Sequence, residues 1–489
     1  MSISNRRSFL KAGVVGGLGA LVIQETTGNS IVVNISQENG FTEQSRTIPL
    51  NNNYEVIVCG SGPAGVSAAI SAAETGAKVL LIEMNACLGG IWTAGQLSWI
   101  FDFNKPGLTR RITKSLDERD ARRGNNPADF VYEPDEMKQL LEEMCVSAGV
   151  SLMYFTQVVA AYKNDRNLTT IVTESKSGRM AWQAKVFIDA TGDGDLGFLA
   201  GCEWEIGQSG QKDCPCQPLT FNALAMVNDA SKLGDYISFY SGRDYGGHVA
   251  QTKNFTSEIN RAGIEPSYSM PTLFQVRENL LLVMVNHEYN IKPYDIAAMT
   301  EATVRARAEV FRIVKGLDKL GGAWKGMRIV ASSEKIGIRE GRRIKGLYTV
   351  TRDDLIAGIR HEDAVTRVGF GVDIHAADKD TDKKEQVTHG NFRTLPYDIP
   401  VRALIAKDVD GLMMAGRCIS GDFMAHASYR VTGDAVAMGE GAGVVAALAV
   451  KEKIKPQQVA WANISKILDE RYKIDASYGS NLKYKPTEF

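Results

Sequence analysis

The pattern of apolar and polar positions is most regular between residues 55 and 83. Residues 55–59, EVIVC, form a short run rich in β-branched side chains, which is typical of a buried strand. Residues 64–77, AGVSAAISAAETGA, are small and mostly apolar and predict a helix that ends at Gly76. Residues 78–83, KVLLIE, give a second apolar run. The segment is therefore predicted to fold as strand, helix and strand.

Three glycines lie in the turn between the first strand and the helix, in the sequence GSGPAG at residues 60–65. Gly60 permits a tight turn, Gly62 lets the backbone approach a pyrophosphate, and Gly65 lets helix and strand pack closely. The helix N-terminus then presents free N–H groups to the phosphates. Glu83 ends the second strand and can accept hydrogen bonds from ribose hydroxyls, which disfavours NADP. This combination predicts a dinucleotide-binding unit.

A second glycine pair follows in the loop MNACLGGIWTAGQ, residues 84–96. Gly89 and Gly90 allow another close approach of backbone to ligand, and Thr93 adds a polar group beside them. A plain NAD-binding domain has little need of this loop. In two-dinucleotide-binding flavoproteins such a loop closes over the pyrophosphate, so FAD is the expected dinucleotide.

Three later blocks extend the pattern: KVFIDATGDGDLGFLAG at 185–201, EKIGIREGRRIKGLYTVTRDDL at 334–355, and the glycine-rich and alanine-rich segment at 410–450. With these blocks, residues 54–450 resemble FAD-dependent oxidoreductases related to the flavoprotein subunits of fumarate reductase and heterodisulfide reductase. The resemblance implies an α/β fold. Its parts would be a Rossmann-like two-dinucleotide-binding FAD domain and an inserted α+β substrate lobe.

The resemblance also implies which residues contact FAD. The turn after residue 190 would close the first half of the site, and the turn near residue 416 would complete it. A helix start near Gly439 would aim N–H groups at the pyrimidine edge of the flavin. The expected contacts are Gly60, Gly62, Pro63, Ala64, Gly65, Glu83, Gly89, Gly90, Thr93, Val158, Thr191, Gly192, Asp193, Gly416, Arg417, Gly439, Gly441 and Ala442. The FAD is expected to be non-covalent, and a thioether to Cys87 is the alternative.

Candidate catalytic residues lie in the phrase AHASYR, residues 425–430. His426 and Arg430 share a face if this stretch is helical. In the related group an A-H-x-S-x-R phrase sits at the flavin, which implies proton transfer by His426 and anion binding by Arg430. A structural role for His426 is the alternative. Arg402, in PYDIPVRALI, is a third candidate.

Two further groups carry open alternatives. His375 lies beside Asp373 and is either a second acid/base or a histidine of a surface loop. The dense charges at residues 339–343, REGRR, form either a solvated face of ion pairs or a set with one substrate-facing arginine.

The N-terminus reads NRRSFLKAGVVGGLGALVI, residues 5–23. Arg6 and Arg7 with the following S-F-L-K match the twin-arginine export signal apart from Asn5, and an ordinary secretion signal is the alternative. The match predicts the twin-arginine export machinery as a partner and a periplasmic or other extracytoplasmic location. FAD would be loaded before export. No apolar run after residue 23 approaches the roughly 20 residues of a membrane span, so the mature form is expected to lack one.

Charge and cysteine content argue against several classes of function. The chain has 489 residues and a net charge of −1, which argues against nucleic-acid binding. Its seven cysteines form no C-x-x-C pair, so no iron–sulfur or zinc site is predicted and no metal ligands are assigned. No second G-x-G-x-x-G follows a strand. Electrons are therefore expected to pass to a quinone, a redox protein or O₂ and not to NAD(P).

The predicted layout is a signal peptide at 1–30, a linker at 31–50, the first part of the FAD domain at 51–205, a substrate lobe at 206–330, the second part at 331–450, and a C-terminal tail at 451–489. The predicted function is an enzyme, an FAD-dependent oxidoreductase or dehydrogenase. It would transfer a hydride between a small polar substrate and FAD. The alternatives are an envelope protein with a structural flavin and a flavin monooxygenase.

Overall fold

The computed structural model describes residues 43, 45–122, 131–210, 216–238, 248–385, 387–388 and 390–473. The chain divides into two units, Met1–Thr47 and Ile48–Phe489, and the helices and strands of the described residues lie in the second. The predicted signal peptide and most of the predicted linker lie outside the described residues, so these assignments stay predictions.

Strands and helices alternate through the described chain. The strands are β1 (Leu50–Asn51), β2 (Val56–Cys59), β3 (Val79–Ile82), β4 (Ser151–Met153), β5 (Gln157–Asn164), β6 (Asn167–Ser175), β7 (Gly178–Gln183), β8 (Val186–Asp189), β9 (Trp204–Glu205), β10 (Asn222–Met226), β11 (Thr272–Arg277), β12 (Leu280–Met284), β13 (Arg328–Ser332), β14 (Arg343–Ile344), β15 (Ala364–Val368), β16 (Ile374–His375), β17 (Val387–Thr388), β18 (Tyr397–Pro400) and β19 (Leu412–Met414). The helices are α1 (Pro63–Glu74), α2 (Leu108–Glu118), α3 (Pro134–Ser147), α4 (Asp195–Leu199), α5 (His248–Arg261), α6 (Ile296–Leu320), α7 (Arg352–Ala357), α8 (Lys379–Glu385), α9 (Phe423–Tyr429), α10 (Thr432–Glu452) and α11 (Trp461–Lys473).

The central sheet has five parallel strands in the order β19-β8-β2-β3-β4. Every residue of β2, β3, β8 and β19 is buried, as expected for a parallel sheet covered on both faces. Strand β2 lies in the middle, and the chain adds β3 on one side and β8 on the other. In such sheets ligands bind at the carboxyl edge, at this change of direction. The predicted α/β fold with a Rossmann-like sheet is confirmed.

Helices α1 and α10 pack at very short range beside this sheet. A Cβ at Gly439 would lie 2.1 Å from the carbonyl oxygen of Ala64, and one at Gly443 would lie 2.3 Å from that of Ala68. The Ser67 hydroxyl donates 2.8 Å to a carbonyl of α10. Among the described residues, α10 is the one helix long and apolar enough to cross a bilayer, and 94% of its apolar window is buried.

Two further sheets have four strands each. Their orders are β1-β7-β6-β5 and β11-β12-β10-β13, and the second is antiparallel. The second of these packs with α5 and α6 around its own apolar core, which draws on residues 219–338 together with Trp99 and Val131. The larger core contains the parallel sheet, α1 and α10. The inserted lobe is therefore an α+β unit, and its predicted limits of 206 and 330 stay predictions.

Residues 340–343 of the charged block are buried and Arg339 is half-buried, so the alternative of a solvated face is wrong. Glu340 and Arg343 form an ion pair at 2.7 Å with side chains 0% and 1% exposed. Arg342 lies 4.4 Å from the centre of the Phe198 ring and 5.4 Å from that of Trp204, and it pairs with a carboxylate at 2.9 Å. A solvated face would leave these charges in water, whereas Glu340 and Arg343 pair inside the protein and Arg342 is buried with an exposed partner, Asp195.

Substitution of Gly439 by alanine should destabilise the fold. The added methyl group would lie 2.1 Å from backbone oxygen, so α1 and α10 must separate. We expect a loss of about 1–3 kcal/mol, seen as a lower Tm in thermal unfolding. Gly234→Ala is the matched control, because φ is −54° there and a Cβ meets no atom within 4 Å. Equal Tm values for the two variants would contradict the close packing.

Candidate active site

The predicted ligand-binding segments meet at the carboxyl edge of the parallel sheet. Residues 60–65 follow β2, Glu83 follows β3, residues 191–193 follow β8, and residues 416–417 follow β19. Because β8, β2 and β3 are neighbours and β19 pairs with β8, the four segments line one edge. Sequence segments separated by more than 300 positions thus form one surface.

The glycine-rich turn leaves an open approach at Gly62. Gly60 has φ +92°, and a Cβ there would lie 2.5 Å from the carbonyl oxygen of Ala190. A Cβ at Gly65 would lie 1.8 Å from the oxygen of Gly60. A Cβ at Gly62, in contrast, meets nothing within 4 Å, although α1 begins at the next residue. Gly62 therefore faces the space where a phosphate would bind the N-terminus of α1.

Glu83 connects this turn to the end of β3. Its Oε2 accepts hydrogen bonds from the backbone N–H of Ser61 at 2.9 Å and from the Ser61 hydroxyl at 2.7 Å. Its Oε1 accepts from the backbone N–H of Asn85 at 2.9 Å and from the Asn85 amide at 2.6 Å. A ribose hydroxyl that binds Glu83 must replace one of these donors.

The second glycine pair lies against the first turn. The N–H of Gly89 donates 2.8 Å to the carbonyl of Ser61, and a Cβ at Gly90 would lie 3.0 Å from Cα of Gly62. The Thr93 hydroxyl donates to a carbonyl within the loop, so it stabilises the loop itself. The two turns expected to enclose the pyrophosphate are therefore adjacent.

The turns after β8 and β19 are joined by an ion pair. Arg417 Nη2 lies 2.7 Å from Asp193 Oδ1, and a Cβ at Gly192, where φ is +80°, would lie 2.4 Å from the same Nη2. The Thr191 hydroxyl donates 2.7 Å to Asp189 at the end of β8. The predicted contacts Thr191, Gly192, Asp193 and Arg417 thus form one connected unit.

Helix α10 begins at Thr432, and the expectation of a helix start near Gly439 is wrong. Gly439 lies a further two turns into the helix and packs on α1, and a Cβ at Gly441 would lie 2.7 Å from Val365. Ala442 is fully buried in the same helix. The small residues were read as a turn signal, but they permit close helix packing. The helix N-terminus meets the loop before α2 instead, where Gly433 donates 2.9 Å to Phe101.

The remaining residues expected to contact FAD lie in helix α1, in the turn after β19 and in strand β5. Pro63 and Ala64 form the first turn of α1 and are buried. A Cβ at Gly416, where φ is +84°, would lie 3.0 Å from Cβ of Ala64, so the β19 turn packs directly on α1. Val158 lies in β5, in the separate sheet β1-β7-β6-β5, and packs against the larger core.

His426 lies on α9, fully buried, with no hydrogen-bonding partner for Nδ1 or Nε2 in the described part of the chain. Burial, and then the charges of Arg343, Arg430 and Arg417, hold its pKa well below the usual value, so the imidazole is neutral at pH 7. Buried polar groups are normally hydrogen-bonded. The described contacts therefore do not satisfy His426 as a structural histidine would be satisfied.

Arg430 directly follows α9 and contacts one member of a neighbouring acid/base pair. Its Nη2 donates to Asp373 at 2.7 Å, and Asp373 Oδ2 lies 3.4 Å from Nε2 of His375. His375 is 6% exposed, so the alternative of a surface-loop histidine is wrong. Burial opposes ionisation of Asp373, but His375, Arg430 and Arg339 lower its pKa well below the usual value.

Arg402 is placed differently. Its side chain is 48% exposed and pairs with Asp363 at 3.0 Å. It also lies over the ring of Tyr348 and 3.4 Å from Nδ1 of His361. The structure brings His426 and Arg430 together on α9 and gives Arg402 a surface ion pair.

Two more polar residues lie in this region: Arg339, one of the arginines of the 339–343 block, and His287, which was not assigned a role from sequence. Arg339 donates to the Pro218 carbonyl and to the Thr220 hydroxyl, and burial together with Arg430 lowers its pKa to about 10. His287 follows β12, and its ring stacks 3.9 Å from that of Tyr268. The one sequence signal for His287 is a polar N-H-E-Y segment directly after an apolar strand.

Several buried polar atoms fit a cofactor with polar edges. The described residues provide no hydrogen-bonding partner for Trp92 Nε1 and Gln96 Oε1, in the loop with the second glycine pair, or for Thr432 Oγ1, at the start of α10. FAD has hydroxyl, phosphate and ring groups that can supply the missing partners. These residues and the open approach at Gly62 therefore fit FAD.

Comparison with known proteins is consistent with this geometry. The profile of the family described as FAD dependent oxidoreductase matches residues 55–468. A digeranylgeranylglycerophospholipid reductase of Methanocella arvoryzae is 26% identical over 217 residues, which cover 41% of this chain and 53% of that protein. A thiamine thiazole synthase of Pyrococcus abyssi is 30% identical over 156 residues, which cover 30% of this chain and 60% of that protein. The chain thus spans little more than half the length of these relatives.

Solved structures show more distant similarity. A geranylgeranyl bacteriochlorophyll reductase-like protein from Thermoplasma acidophilum superposes with a TM-score of 0.42 at 15% identity, covering 87% of this chain and 84% of that one. A p-nitrophenol 4-monooxygenase from Pseudomonas putida gives 0.43 at 12% identity, covering 88% and 85%.

Substitution of Gly62 by valine should remove the cofactor and leave the fold intact. A Cβ at this position meets no atom of the described residues within 4 Å, so the larger side chain would extend into the space expected for the ligand. We expect FAD affinity to fall by at least about tenfold, or about 1.4 kcal/mol, measured from the flavin absorbance per chain after dialysis. Gly234→Val is the control for the substitution itself. Full FAD retention in Gly62→Val, with unchanged Tm, would exclude this approach path.

Proposed function

The chain belongs to the FAD-dependent oxidoreductase family, and from that membership we propose the reaction. The enzyme transfers a hydride between a small polar substrate and non-covalently bound FAD, and electrons pass to an acceptor other than NAD. The acceptor would be a quinone, a redox protein or O₂. Within the family, we place the chain among relatives of the fumarate reductase and heterodisulfide reductase flavoproteins, because of the blocks at 185–201, 334–355 and 410–450.

The residues of this chain would hold the cofactor at the carboxyl edge of the parallel sheet. The turn at residues 60–65 would bind the pyrophosphate, and Glu83 would bind a ribose. FAD, when bound, supplies the two-electron chemistry that the amino acids lack. Burial raises the pKa of the Cys87 thiol. Because the thiolate is then scarce, this favours non-covalent binding.

The observation that carries the proposal is His426 beside Arg430, with no hydrogen-bonding partner for either ring nitrogen among the described residues. A neutral, buried imidazole can accept the proton of a substrate hydroxyl as the C–H bond breaks, and it can return that proton in the reverse direction. Arg430 supplies a fixed positive charge four residues further along the chain, with Nη2 held by Asp373. Its Nε has no partner among the described atoms, so it can donate to an anionic or carbonyl oxygen of the substrate.

Anaerobic bleaching of the flavin tests this function directly. Hydroxy acids, polyols and sugars are screened as reductants, and NADH and NADPH are added in parallel. We expect bleaching by a compound of the first group and slow reaction with either nicotinamide. Rapid bleaching by NADPH would instead favour a monooxygenase. An inert flavin in every redox assay would favour a structural cofactor in a binding protein.

With the bleaching compound, His426→Gln should slow flavin reduction by about 10²–10⁴ while FAD is retained. Because the pKa of His426 lies below 6.5, the wild-type rate should be constant from neutral to alkaline pH and should fall only in acid, as the imidazole gains its proton. His361→Gln is the control, since that imidazole lies in the surface pair with Arg402. An unchanged rate in His426→Gln would exclude it as the base.

We further propose that the enzyme is exported in folded form to the periplasm or another extracytoplasmic space. The motif around Arg6 and Arg7 and the apolar stretch up to residue 23 support this proposal. Folded export would allow FAD to be incorporated in the cytoplasm before transport.

Replacement of both arginines by lysine tests the route. The charge is kept, so an ordinary secretion signal would still work, whereas the twin-arginine machinery should reject the chain. We expect the protein to accumulate in the cytoplasm with FAD bound, as measured by cell fractionation and flavin absorbance. Undiminished export of the double variant would exclude the twin-arginine route.

A further inference from the structure

Three buried side chains outside the expected flavin contacts converge in one place. They are His287, which follows β12, His375 in β16, and Asp382 in α8. One nitrogen of each histidine and one carboxylate oxygen all lie within 4.8 Å of one another. The three residues are 2%, 6% and 0% exposed. Two imidazoles and a carboxylate form a common ligand set for divalent transition metals.

Each of the three residues has an atom without a hydrogen-bonding partner in the described ranges. These atoms are Nε2 of His287, Nδ1 of His375 and Oδ1 of Asp382, and this Oδ1 lies 4.0 Å from Nδ1 of His287. Buried polar groups are normally hydrogen-bonded, so three unsatisfied atoms together call for a ligand. A buried carboxylate oxygen in particular requires a cation or a hydrogen-bond donor.

In His375 and Asp382 the opposite atoms of the side chains are held by neighbours, as those of metal ligands usually are, and Nδ1 of His287 lies 3.4 Å from the Tyr289 hydroxyl. Nε2 of His375 lies 3.4 Å from Oδ2 of Asp373, which leaves Nδ1 free to coordinate when the proton is on Nε2. Oδ2 of Asp382 accepts hydrogen bonds from the Tyr289 hydroxyl at 3.0 Å and from the N–H of Ser269 at 3.0 Å. Its free Oδ1 is therefore oriented for monodentate binding.

We propose that His287, His375 and Asp382 bind one divalent first-row transition-metal ion. Metal–nitrogen bonds of about 2.0–2.1 Å place neighbouring ligands about 3–3.5 Å apart, so the side chains move inward by about 1 Å on binding. Three protein ligands leave at least one coordination position open for water or an oxygen of a small molecule. The site does not depend on the hydride transfer proposed above.

The surrounding charges determine which kind of ligand the open coordination position would bind. Arg339 and Arg430 face the cluster, and Asp373 and Asp382 balance them. A dication therefore adds a net positive charge, which an anionic oxygen ligand such as hydroxide or a carboxylate would neutralise. An anion bound without metal is the competing occupant. It is disfavoured because it would lie against the unpaired Oδ1 of Asp382.

Titration with Co²⁺ tests the site. The full chain is purified with its flavin, treated with dipicolinate, dialysed, and titrated with Co²⁺ under anaerobic conditions. Ligand-field absorption in difference spectra and elemental analysis report the bound metal. We expect one Co²⁺ per chain. Absence of stoichiometric Co²⁺ binding by the wild-type protein would overturn the proposal.

Variants assign the ligands. His375→Gln and Asp382→Asn should each weaken Co²⁺ binding by more than about 100-fold, beyond the range typical for loss of an outer partner. Asp380→Asn is the matched control, because it makes the same change on the same helix at an exposed position. Binding by both ligand variants that equals binding by Asp380→Asn would place the metal elsewhere.

A milder variant covers the case in which the ligand variants fail to fold. Tyr289→Phe removes only a hydroxyl, which contacts Oδ2 of Asp382 at 3.0 Å, Nδ1 of His287 at 3.4 Å and the Ser267 carbonyl at 2.8 Å. We expect one Co²⁺ per chain with an affinity about 10–100-fold lower and a shifted ligand-field spectrum. A spectrum and an affinity identical to those of the wild type would argue against Asp382 as a ligand.

Discussion

The buried ion pair between Glu340 and Arg343 holds the two lobes of the described structure at one point. Glu340 accepts hydrogen bonds from the backbone of Gly207 at 2.8 Å and Gln217 at 3.1 Å, where the chain enters the inserted lobe. Arg343 donates to the carbonyls of Gly207 at 2.9 Å and Gly421 at 3.1 Å. Removal of one partner of such a pair costs about 3–5 kcal/mol, because the other charge is left buried. These hydrogen bonds thus fix three segments relative to one another: the entry of the lobe, its exit, and the segment before α9.

The consequences of this pair reach the candidate catalytic groups through the backbone. The Gln217 amide oxygen accepts from the N–H of His375 at 3.1 Å, so the lobe entry positions a histidine of the buried cluster. Gly421 lies directly before Asp422, whose carboxylate caps α9 and thereby orients His426. The two histidines belong to different segments, yet both depend on the position of one buried salt bridge.

The glycine-rich turn and the parallel strands could be predicted because their signals are local. Gly60, Gly62 and Gly65 lie within six residues, and each has a separate steric reason. The start of α10 was missed because the meaning of its glycines depends on α1, whose Ser67 bonds a residue 369 positions away. The place of Arg343 could not be decided from sequence for a similar reason, since a charged side chain suggests solvent until its buried partner is known. The cluster of His287, His375 and Asp382 depends on the packing of three separate segments, and no spacing pattern in the sequence predicts it.

Asp373 is the physical link between the candidate flavin site and this cluster. Its Oδ2 contacts Arg430 at 2.7 Å on one side and His375 at 3.4 Å on the other. Because the neighbouring positive charges hold the pKa of Asp373 well below its usual value, the carboxylate is ionised at neutral pH. A change of charge in the cluster therefore changes the electrostatic environment of Arg430 through the carboxylate of Asp373. Arg430 follows His426 by four residues at the end of α9, so the charge of a bound cation would alter the strength with which Arg430 holds a substrate oxygen.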